Sequence, residues 1–187
     1  LRNLDISLGM TDRALMDFSD VAEGRCPLVR AAVNHPDLPG LALLTAPMTL
    51  SPALTEEAVR RMLDTARSLY DYVLIDPPAG LGAGFRMACC GADRAIVVST
   101  NDASSLRDAQ RTVGELDFLR QIHLVMNRIQ PKLLRQLRTT IDDAMDTAGL
   151  PLLGVVPEDP QVMLCANRGE PLILAASRGA AVAYLNI

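Results

Sequence analysis

The chain has 187 residues, of which 49% are apolar and 21% are charged, with a formal net charge of −4. These values are ordinary for a globular protein that buries a sizeable core. The acidic balance argues against a general nucleic-acid-binding surface, and no apolar run approaches the roughly 18 residues of a membrane-spanning helix. The four cysteines lack the spacing of a disulfide framework, so we expect reduced, intracellular thiols.

Short apolar runs alternate with helical patterns along the whole chain. The predicted strands are residues 41–44, 73–75, 95–99, 123–126 and 152–156. The predicted helices are 55–69, 83–90, 104–119, 132–148, 161–168 and 178–186. Strands that are apolar throughout and are separated by helix-length crossovers indicate a parallel sheet covered on both faces. We therefore predict one α/β domain over residues 1–187, with a doubly wound, mostly parallel sheet.

Polar or turn residues follow every predicted strand. These strand tips are residues 45–47, 76–78, 99–101, 127–128 and 157–159. In a parallel sheet the carboxyl ends of the strands converge on one crevice, where α/β proteins bind their ligands. Five polar tips together predict a ligand crevice at this edge.

The stretch around Asp76 carries the strongest chemical signal. Asp76 ends the apolar run 73–75, and Pro77, Pro78, Ala79 and Gly80 follow it directly. A carboxylate in this position holds Mg²⁺ or its waters in phosphate-binding ATPases, although a loop or helix-capping role remains an alternative. The glycines at 80, 82 and 84 come too late after the strand for a dinucleotide fingerprint, so we interpret the segment as a switch loop.

Asn127 and Arg128 follow the strand 123–126. The carboxamide of Asn127 is suited to an adenine edge because it both donates and accepts hydrogen bonds. Arg128 is a candidate to contact the ring face or to hold the loop, and a plain turn is the alternative for both residues. We expect the adjacent Cys89 and Cys90 to be buried filler rather than iron–sulfur ligands, and His35 to be a loop residue.

Taken in order, these segments resemble the MinD branch of the MinD/ParA deviant P-loop ATPases. The motifs that carry the resemblance are Leu1-Arg2-Asn3-Leu4-Asp5, Ile75-Asp76-Pro77-Pro78-Ala79-Gly80, Thr100-Asn101-Asp102-Ala103-Ser104-Ser105-Leu106-Arg107-Asp108, Asn127-Arg128, Gly154-Val155-Val156-Pro157-Glu158-Asp159 and Ala166-Asn167-Arg168-Gly169-Glu170-Pro171. They cover essentially the whole chain. The double proline at Pro77 and Pro78 is nearer the ParA form of the family.

The resemblance implies a role for each motif in binding ATP and Mg²⁺. Asp76 would act in catalysis, holding Mg²⁺ indirectly, and the switch would comprise Pro77, Pro78, Ala79, Gly80 and Gly82. The nucleotide-binding residues would be Asn127, Arg128, Pro157, Glu158 and Asp159. The partner-binding residues would be Ser104, Ser105, Arg107 and Asp108.

The resemblance further implies an ATP-dependent homodimer that acts as a spatial switch in cell-division site selection. Its expected partners are division-inhibitor and activator proteins of the Min type, and we expect no nucleic acid. The complete protein would be cytoplasmic and would bind the inner face of the membrane peripherally, when ATP-bound, through a C-terminal helix that this chain lacks.

No G-x-x-x-x-G-K-[ST] phosphate loop occurs in the 187 residues. In the family this loop would precede residue 1, so we expect an incomplete chain that lacks both ends. The strand before the loop is central in the family's sheet, and its loss would expose unpaired backbone on the neighbouring strands. We therefore expect the isolated chain to be poorly stable and inactive as an ATPase.

Four other functions remain open. A ParA-type segregation ATPase would bind DNA, which the acidic balance disfavours, and a flagellar-number ATPase is a second relative within the family. An iron–sulfur carrier of the superfamily is disfavoured because no C-x-x-C occurs. A non-catalytic interaction module with a degenerate ATPase fold would apply if the chain were naturally complete.

Overall fold

The computed structural model describes residues 3–187, so Leu1 and Arg2 of the opening motif lie outside the described residues. The chain forms two compact units. The first contains the residues up to Gly91 together with Ala166–Pro171, and the second contains Ala92–Cys165 together with Leu172–Ile187. The expectation of one domain over residues 1–187 stays a prediction.

The elements of the first unit are mostly short helices. They are α1 (Leu4–Ser7), α2 (Phe18–Ala22), α3 (Leu28–Ala31), β1 (Val33–Asn34), β2 (Ala42–Leu43), α4 (Glu56–Leu69) and α5 (Ala83–Cys89). The predicted strand 41–44 is confirmed only as β2, and it pairs antiparallel with β1 rather than joining a parallel sheet. Four short elements, α1, α2, α3 and β1, were not predicted, because their few residues show little periodic spacing of apolar side chains.

Helix α4 forms where its caps and periodicity predict. Thr55 is the N-cap, and its hydroxyl accepts a hydrogen bond from the Ala58 N–H at 3.2 Å. Met62 and Leu63 from this helix pack with Leu54 and Cys90 in the core of the first unit. Each fully buried side chain of this size stabilises the fold by roughly 1.5–3 kcal/mol. The helix therefore anchors this unit, and Cys90 is buried filler as expected.

The predicted strand 73–75 is wrong: within residues 3–187 this segment has no regular secondary structure. Tyr72 and Leu74 are 88% and 91% exposed. A strand requires a hydrogen-bonded neighbour, and this stretch has an apolar sequence without one. The apolar run before Asp76 is therefore an exposed segment without regular secondary structure in this chain.

The second unit contains the parallel sheet. Its elements are β3 (Ala95–Ser99), α6 (Ala103–Glu115), β4 (Ile122–Ile129), α7 (Pro131–Leu137), α8 (Ile141–Ala148), β5 (Leu152–Pro157), α9 (Pro160–Arg168), α10 (Leu172–Ala175) and α11 (Ala180–Leu185), of which α9 continues into the segment 166–171. The strand order is β3-β4-β5, and both pairings are parallel. Val125, Val156 and Ala180 form its core. The α/β class with a parallel sheet is confirmed.

The prediction that the strands are covered on both faces is wrong for β3. Its residues alternate, so that Ile96 and Val98 are 53% and 60% exposed while Val97 is buried. Among the described strands, β3 pairs with β4 alone and has no partner along its other edge. The apolar sequence of β3 thus predicts more burial than this chain provides.

Two predicted helices differ from the structure. The single helix 132–148 is two helices, α7 and α8, because Arg138 takes a left-handed conformation with φ 53° and Thr140 caps a new helix with a capping box to Asp143. Helix α6 is capped by Asp102, so it begins at Ala103, one residue before the predicted start at 104. The Asp102 carboxylate accepts a hydrogen bond from the Ser105 N–H, as an N-cap aspartate commonly does at a helix start.

Candidate functional site

Asp76 lies in the first unit, in the loop that leads to α5. Its side chain is exposed and has no hydrogen bond or ion pair within residues 3–187. The helix-capping alternative therefore has no support in the described contacts, whereas an exposed carboxylate in a loop agrees with the loop alternative. A carboxylate that serves no internal partner is available to a metal ion or its waters.

The segment after Asp76 is shaped by its glycines and prolines. Gly80 has φ 84°, a backbone conformation that favours glycine, and Gly82 is the N-cap of α5. A Cβ on Gly84 would lie 2.9 Å from Cγ of Pro78, so Pro78 packs over the first turn of α5 because position 84 has no side chain. The predicted switch is thus a turn closed over the start of a helix.

The carboxyl edge of β3, β4 and β5 brings three predicted strand tips to one side of the second unit. These are 99–101, 127–128 and 157–159. Arg128 Nε donates to Glu158 Oε2 at 2.8 Å, which joins the tips of β4 and β5 directly. The tips at 45–47 and 76–78 belong to the first unit, so the convergence of all five stays a prediction.

Asn127 and Arg128 do not follow β4 as a turn; they form a bulge inside it. The pairing with β5 skips from Met126↔Val155 to Ile129↔Pro157, so two residues of β4 oppose one residue of β5. Arg128 has φ 56°, and the Asn127 Oδ1 atom accepts a hydrogen bond from the Arg128 N–H at 2.9 Å. Bulges of this kind re-aim side chains next to binding sites.

Asp159, predicted to bind nucleotide, is used inside the protein. Its Oδ1 atom accepts from the Gln161 N–H at 2.9 Å, and its Oδ2 atom accepts from the Ala180 N–H at 3.0 Å. These backbone hydrogen bonds lower the pKa of the Asp159 carboxyl, that from Ala180 most. Asp159 therefore ties the loop after β5 to the starts of α9 and α11, a role that the sequence analysis missed.

The predicted partner-binding residues lie at the start of α6. The Asp102 carboxylate accepts hydrogen bonds from the Ser105 N–H at 2.9 Å and from the Ser105 hydroxyl at 2.8 Å. Hydroxyls of Ser104 and Thr100 also donate to it, and the Ser104 bond is the largest cause of the strongly lowered pKa of Asp102. Arg107 and Asp108 are exposed one turn later. Both serines are therefore held against Asp102, and Arg107 is on the surface.

Residues 3–187 contain neither a clustered metal site nor a helix able to span a membrane. No cluster of three or more histidine, cysteine, aspartate or glutamate side chains forms a metal site there. Across the same residues, every helix is too short or too polar to span a bilayer.

Two adjacent cysteines lie at the end of α5, where Cys90 is buried and Cys89 is half-buried. All four cysteines are free. Desolvation raises the pKa of both Cys89 and Cys90. Thiols with raised pKa values are poor nucleophiles and metal ligands, which agrees with the expected packing role.

Comparison with known proteins places these features in a family, although no protein-family model matches the sequence. The chain is 37% identical over 193 residues to the septum site-determining protein MinD of Bacillus subtilis, covering 72% of that relative. It is 35% identical over 178 residues to MinD of Synechocystis, covering 67% of that relative. The chain therefore spans about two thirds to three quarters of the length of these proteins.

Solved structures give the same result. The MinC:MinD cell division protein complex of Aquifex aeolicus matches with a TM-score of 0.90 and 33% identity, covering 99% of this chain and 76% of that chain. MinD of Pyrococcus horikoshii, complexed with Mg-ADP, matches with a TM-score of 0.84 at 24% identity, covering 100% of this chain and 76% of that chain, which shows the shared P-loop NTPase fold. The chain belongs to the MinD/ParA family, and its relatives within that family are septum site-determining MinD proteins.

Proposed function

We propose that this chain is part of a MinD-type ATPase that acts as a nucleotide-dependent switch in the selection of the cell-division site. The single observation that carries the proposal is the identity of 37% to a septum site-determining MinD over the whole chain. The exposed Asp76 and the joined tips of β4 and β5 support it, because they supply a metal-side carboxylate and a candidate base-binding edge. A ParA-type segregation or flagellar-number role is the alternative within the family.

In this proposal the nucleotide is ATP with Mg²⁺. Asp76 fits the metal because its carboxylate has no competing internal partner within residues 3–187. Bound Mg²⁺ would neutralise charge that develops on the phosphates. Asn127, with Pro157 and Glu158, would hold the base, while Asp159 would support them from inside the fold. Residues 77–82 would respond to the terminal phosphate as a switch.

The proposal extends to the assembly of the complete protein. We propose an ATP-dependent homodimer in the cytoplasm, with peripheral attachment to the membrane through a C-terminal helix outside this sequence. The Aquifex relative was solved as a complex with MinC, and a division inhibitor of that kind is the partner proposed here. The surface proposed for partner proteins is the start of α6, with Ser104, Ser105, Arg107 and Asp108.

The decisive experiment measures Mg²⁺-dependent ATP hydrolysis by the full-length protein and its Asp76→Asn variant. Loss of the carboxylate should lower turnover by about a hundredfold or more, since a metal-side ligand supplies several kcal/mol of transition-state stabilisation. Asp71→Asn is a matched control, because Asp71 is an exposed aspartate five positions earlier. Turnover that is equal in all three proteins would refute the role of Asp76. A full-length wild type without hydrolysis would favour the non-catalytic module.

A second measurement tests the cellular role. Deletion of the gene should place septa away from mid-cell, and the wild-type gene should restore them while the Asp76→Asn gene should not. Normal septum placement in the deletion strain, together with DNA binding that weakens with salt, would favour the segregation ATPase instead.

A further inference from the structure

The bulge in β4 stands out because a bulky residue occupies its left-handed position. Arg128 has φ 56°, a conformation that glycine, asparagine and aspartate adopt more readily than arginine. Opposite the bulge, Val156 of β5 is fully buried, so the strand cannot relax by sliding. The surrounding structure must therefore hold Arg128 in this conformation.

Two contacts between the strand tips provide that hold. The Glu158 N–H donates to the Ile129 carbonyl at 3.0 Å, and Arg128 Nε donates to the Glu158 carboxylate at 2.8 Å. Glu158 in turn precedes Asp159, whose carboxylate caps α9 and α11. Arg128 is thus fastened to a loop that is itself anchored to two helices.

The left-handed Arg128 also determines what Asn127 can present to a ligand. The Arg128 N–H points at the Asn127 Oδ1 atom, and this hydrogen bond of 2.9 Å fixes the carboxamide. With one lone pair of the oxygen engaged, the Nδ2 amide group and the second lone pair of Oδ1 remain for a ligand. The orientation of Asn127 therefore depends on the backbone conformation of the next residue.

We propose that Arg128 is a positioning residue, whose left-handed backbone and ion pair with Glu158 orient the Asn127 carboxamide toward a purine base, and that Arg128 does not itself contact the nucleotide. This inference rests on the proposed nucleotide-binding function. It assigns the ion pair of Arg128 and Glu158 to one device and separates Arg128 from direct base contact. The Arg128 guanidinium is already engaged through its Nε atom by the Glu158 carboxylate.

The experiment is a double-mutant cycle on ADP binding by the full-length protein with Mg²⁺, measured by titration calorimetry. Arg128→Ala removes the ion pair and disfavours a left-handed φ, and Glu158→Ala removes the other partner. Each variant should weaken ADP binding by about three- to tenfold, and the double variant by no more than either single one. The charge swap Arg128→Glu with Glu158→Arg should recover binding to within about twofold of the wild type. Arg135→Gln, on the exposed helix α7, is the control and should bind like the wild type.

A second readout separates positioning from general destabilisation. Asn127 orientation should affect base selectivity, so the ratio of the ADP and GDP affinities should fall in both single variants. Thermal midpoints should stay near that of the wild type, because the pair is largely exposed. A selectivity ratio that stays at the wild-type value would overturn the inference.

The outcomes distinguish three cases. A loss of affinity in Arg128→Ala alone, or losses that multiply in the double variant, would show that Arg128 binds the ring itself. Wild-type binding in both single variants would overturn the positioning role and leave the proposed function intact. A full-length wild type that does not bind ADP would refute the proposed function, and the inference with it.

Discussion

Gly9 and Gly169 pack backbone against backbone, although 160 positions separate them in the numbering. Both are left-handed, with φ 64° and φ 65°, and a Cβ on Gly169 would lie 2.7 Å from the Gly9 Cα. Only glycine satisfies the conformation and the close approach together. The contact attaches the segment that ends α9 to the turn after α1.

We expect Gly169→Ala to destabilise the protein by about 2–4 kcal/mol, since it adds a clash with the backbone to the strain of a left-handed alanine. Gly24→Ala is the matched control, because Gly24 has φ 76° but an added Cβ there would meet nothing within 4 Å. The control should cost about 1 kcal/mol. Urea denaturation of the full-length protein measures both, and equal costs would show that the Gly9 contact carries no energy.

His35 lies in a loop, as expected from the sequence, and it acts there as a buried clamp between backbone segments. Its Nδ1 atom accepts from the N–H groups of Asp37 and Leu38, both at 3.1 Å, and its Nε2 atom lies 3.1 Å from the Leu8 carbonyl. This pattern requires the tautomer protonated on Nε2. His35→Ala should therefore cost about 2–4 kcal/mol, through unsatisfied backbone groups and a cavity.

His123→Ala is the control for this prediction, because His123 is half-buried on β4. We expect it to cost less than half as much as His35→Ala in the same urea measurement. Hydrogen exchange gives a local readout: the Asp37 and Leu38 amides should exchange faster in His35→Ala only. Unchanged exchange at both amides would contradict the clamp.

Asp102 should make the stability of α6 sensitive to acid. Its pKa is strongly lowered in the folded state by hydrogen bonds from Ser104, Thr100 and Ser105, in that order. A lowered folded pKa means that this stabilisation is complete above the unfolded value near 3.8 and is lost as the pH falls through the folded value.

The variant Asp102→Asn tests this dependence. It should reduce the free energy of unfolding by about 0.5–2 kcal/mol at pH 7, because a neutral acceptor replaces a charged one, and the difference from the wild type should shrink below pH 4. Asp108→Asn, in an exposed pair with Arg111, should stay within about 0.5 kcal/mol. A difference for Asp102→Asn that persists unchanged into strong acid would contradict the prediction.

The exposed apolar segment before Asp76 should make the 187-residue chain self-associate. Tyr72 and Leu74 are largely exposed, and the backbone between them has no strand partner within residues 3–187. An apolar segment with a free edge is a template for pairing with another copy. Leu74→Ser should lower the apparent mass measured by light scattering.

Leu15→Ser is the control, because Leu15 is equally exposed, at 93%, but lies in a bend outside the apolar segment before Asp76. It should leave the association unchanged. Equal reduction in both variants would assign the association to general surface hydrophobicity. A monodisperse wild-type chain would rule out the edge as a pairing site.

Local sequence was sufficient where an element depends on its own residues. Helix α4 begins after its cap Thr55, at the start of the predicted range 55–69, and it buries Met62 and Leu63, because caps and helical spacing act within one or two turns. The parallel strands β3, β4 and β5 were also found from their apolar runs. The break between α7 and α8 was missed, since the periodic pattern continues through Arg138 while its backbone reverses.

The candidate site shows the same division. Asp76, Asn127 and Glu158 were proposed as site residues because polar residues directly after apolar runs are visible in the order of residues alone, and that order also identified the MinD/ParA family. Tertiary structure alone showed that Asn127 and Arg128 form a bulge, that Asp159 caps two helices and that residues 73–75 lack a partner within residues 3–187. Each of these depends on pairing between distant residues, and pairing energy is a property of two segments that neither segment's sequence contains.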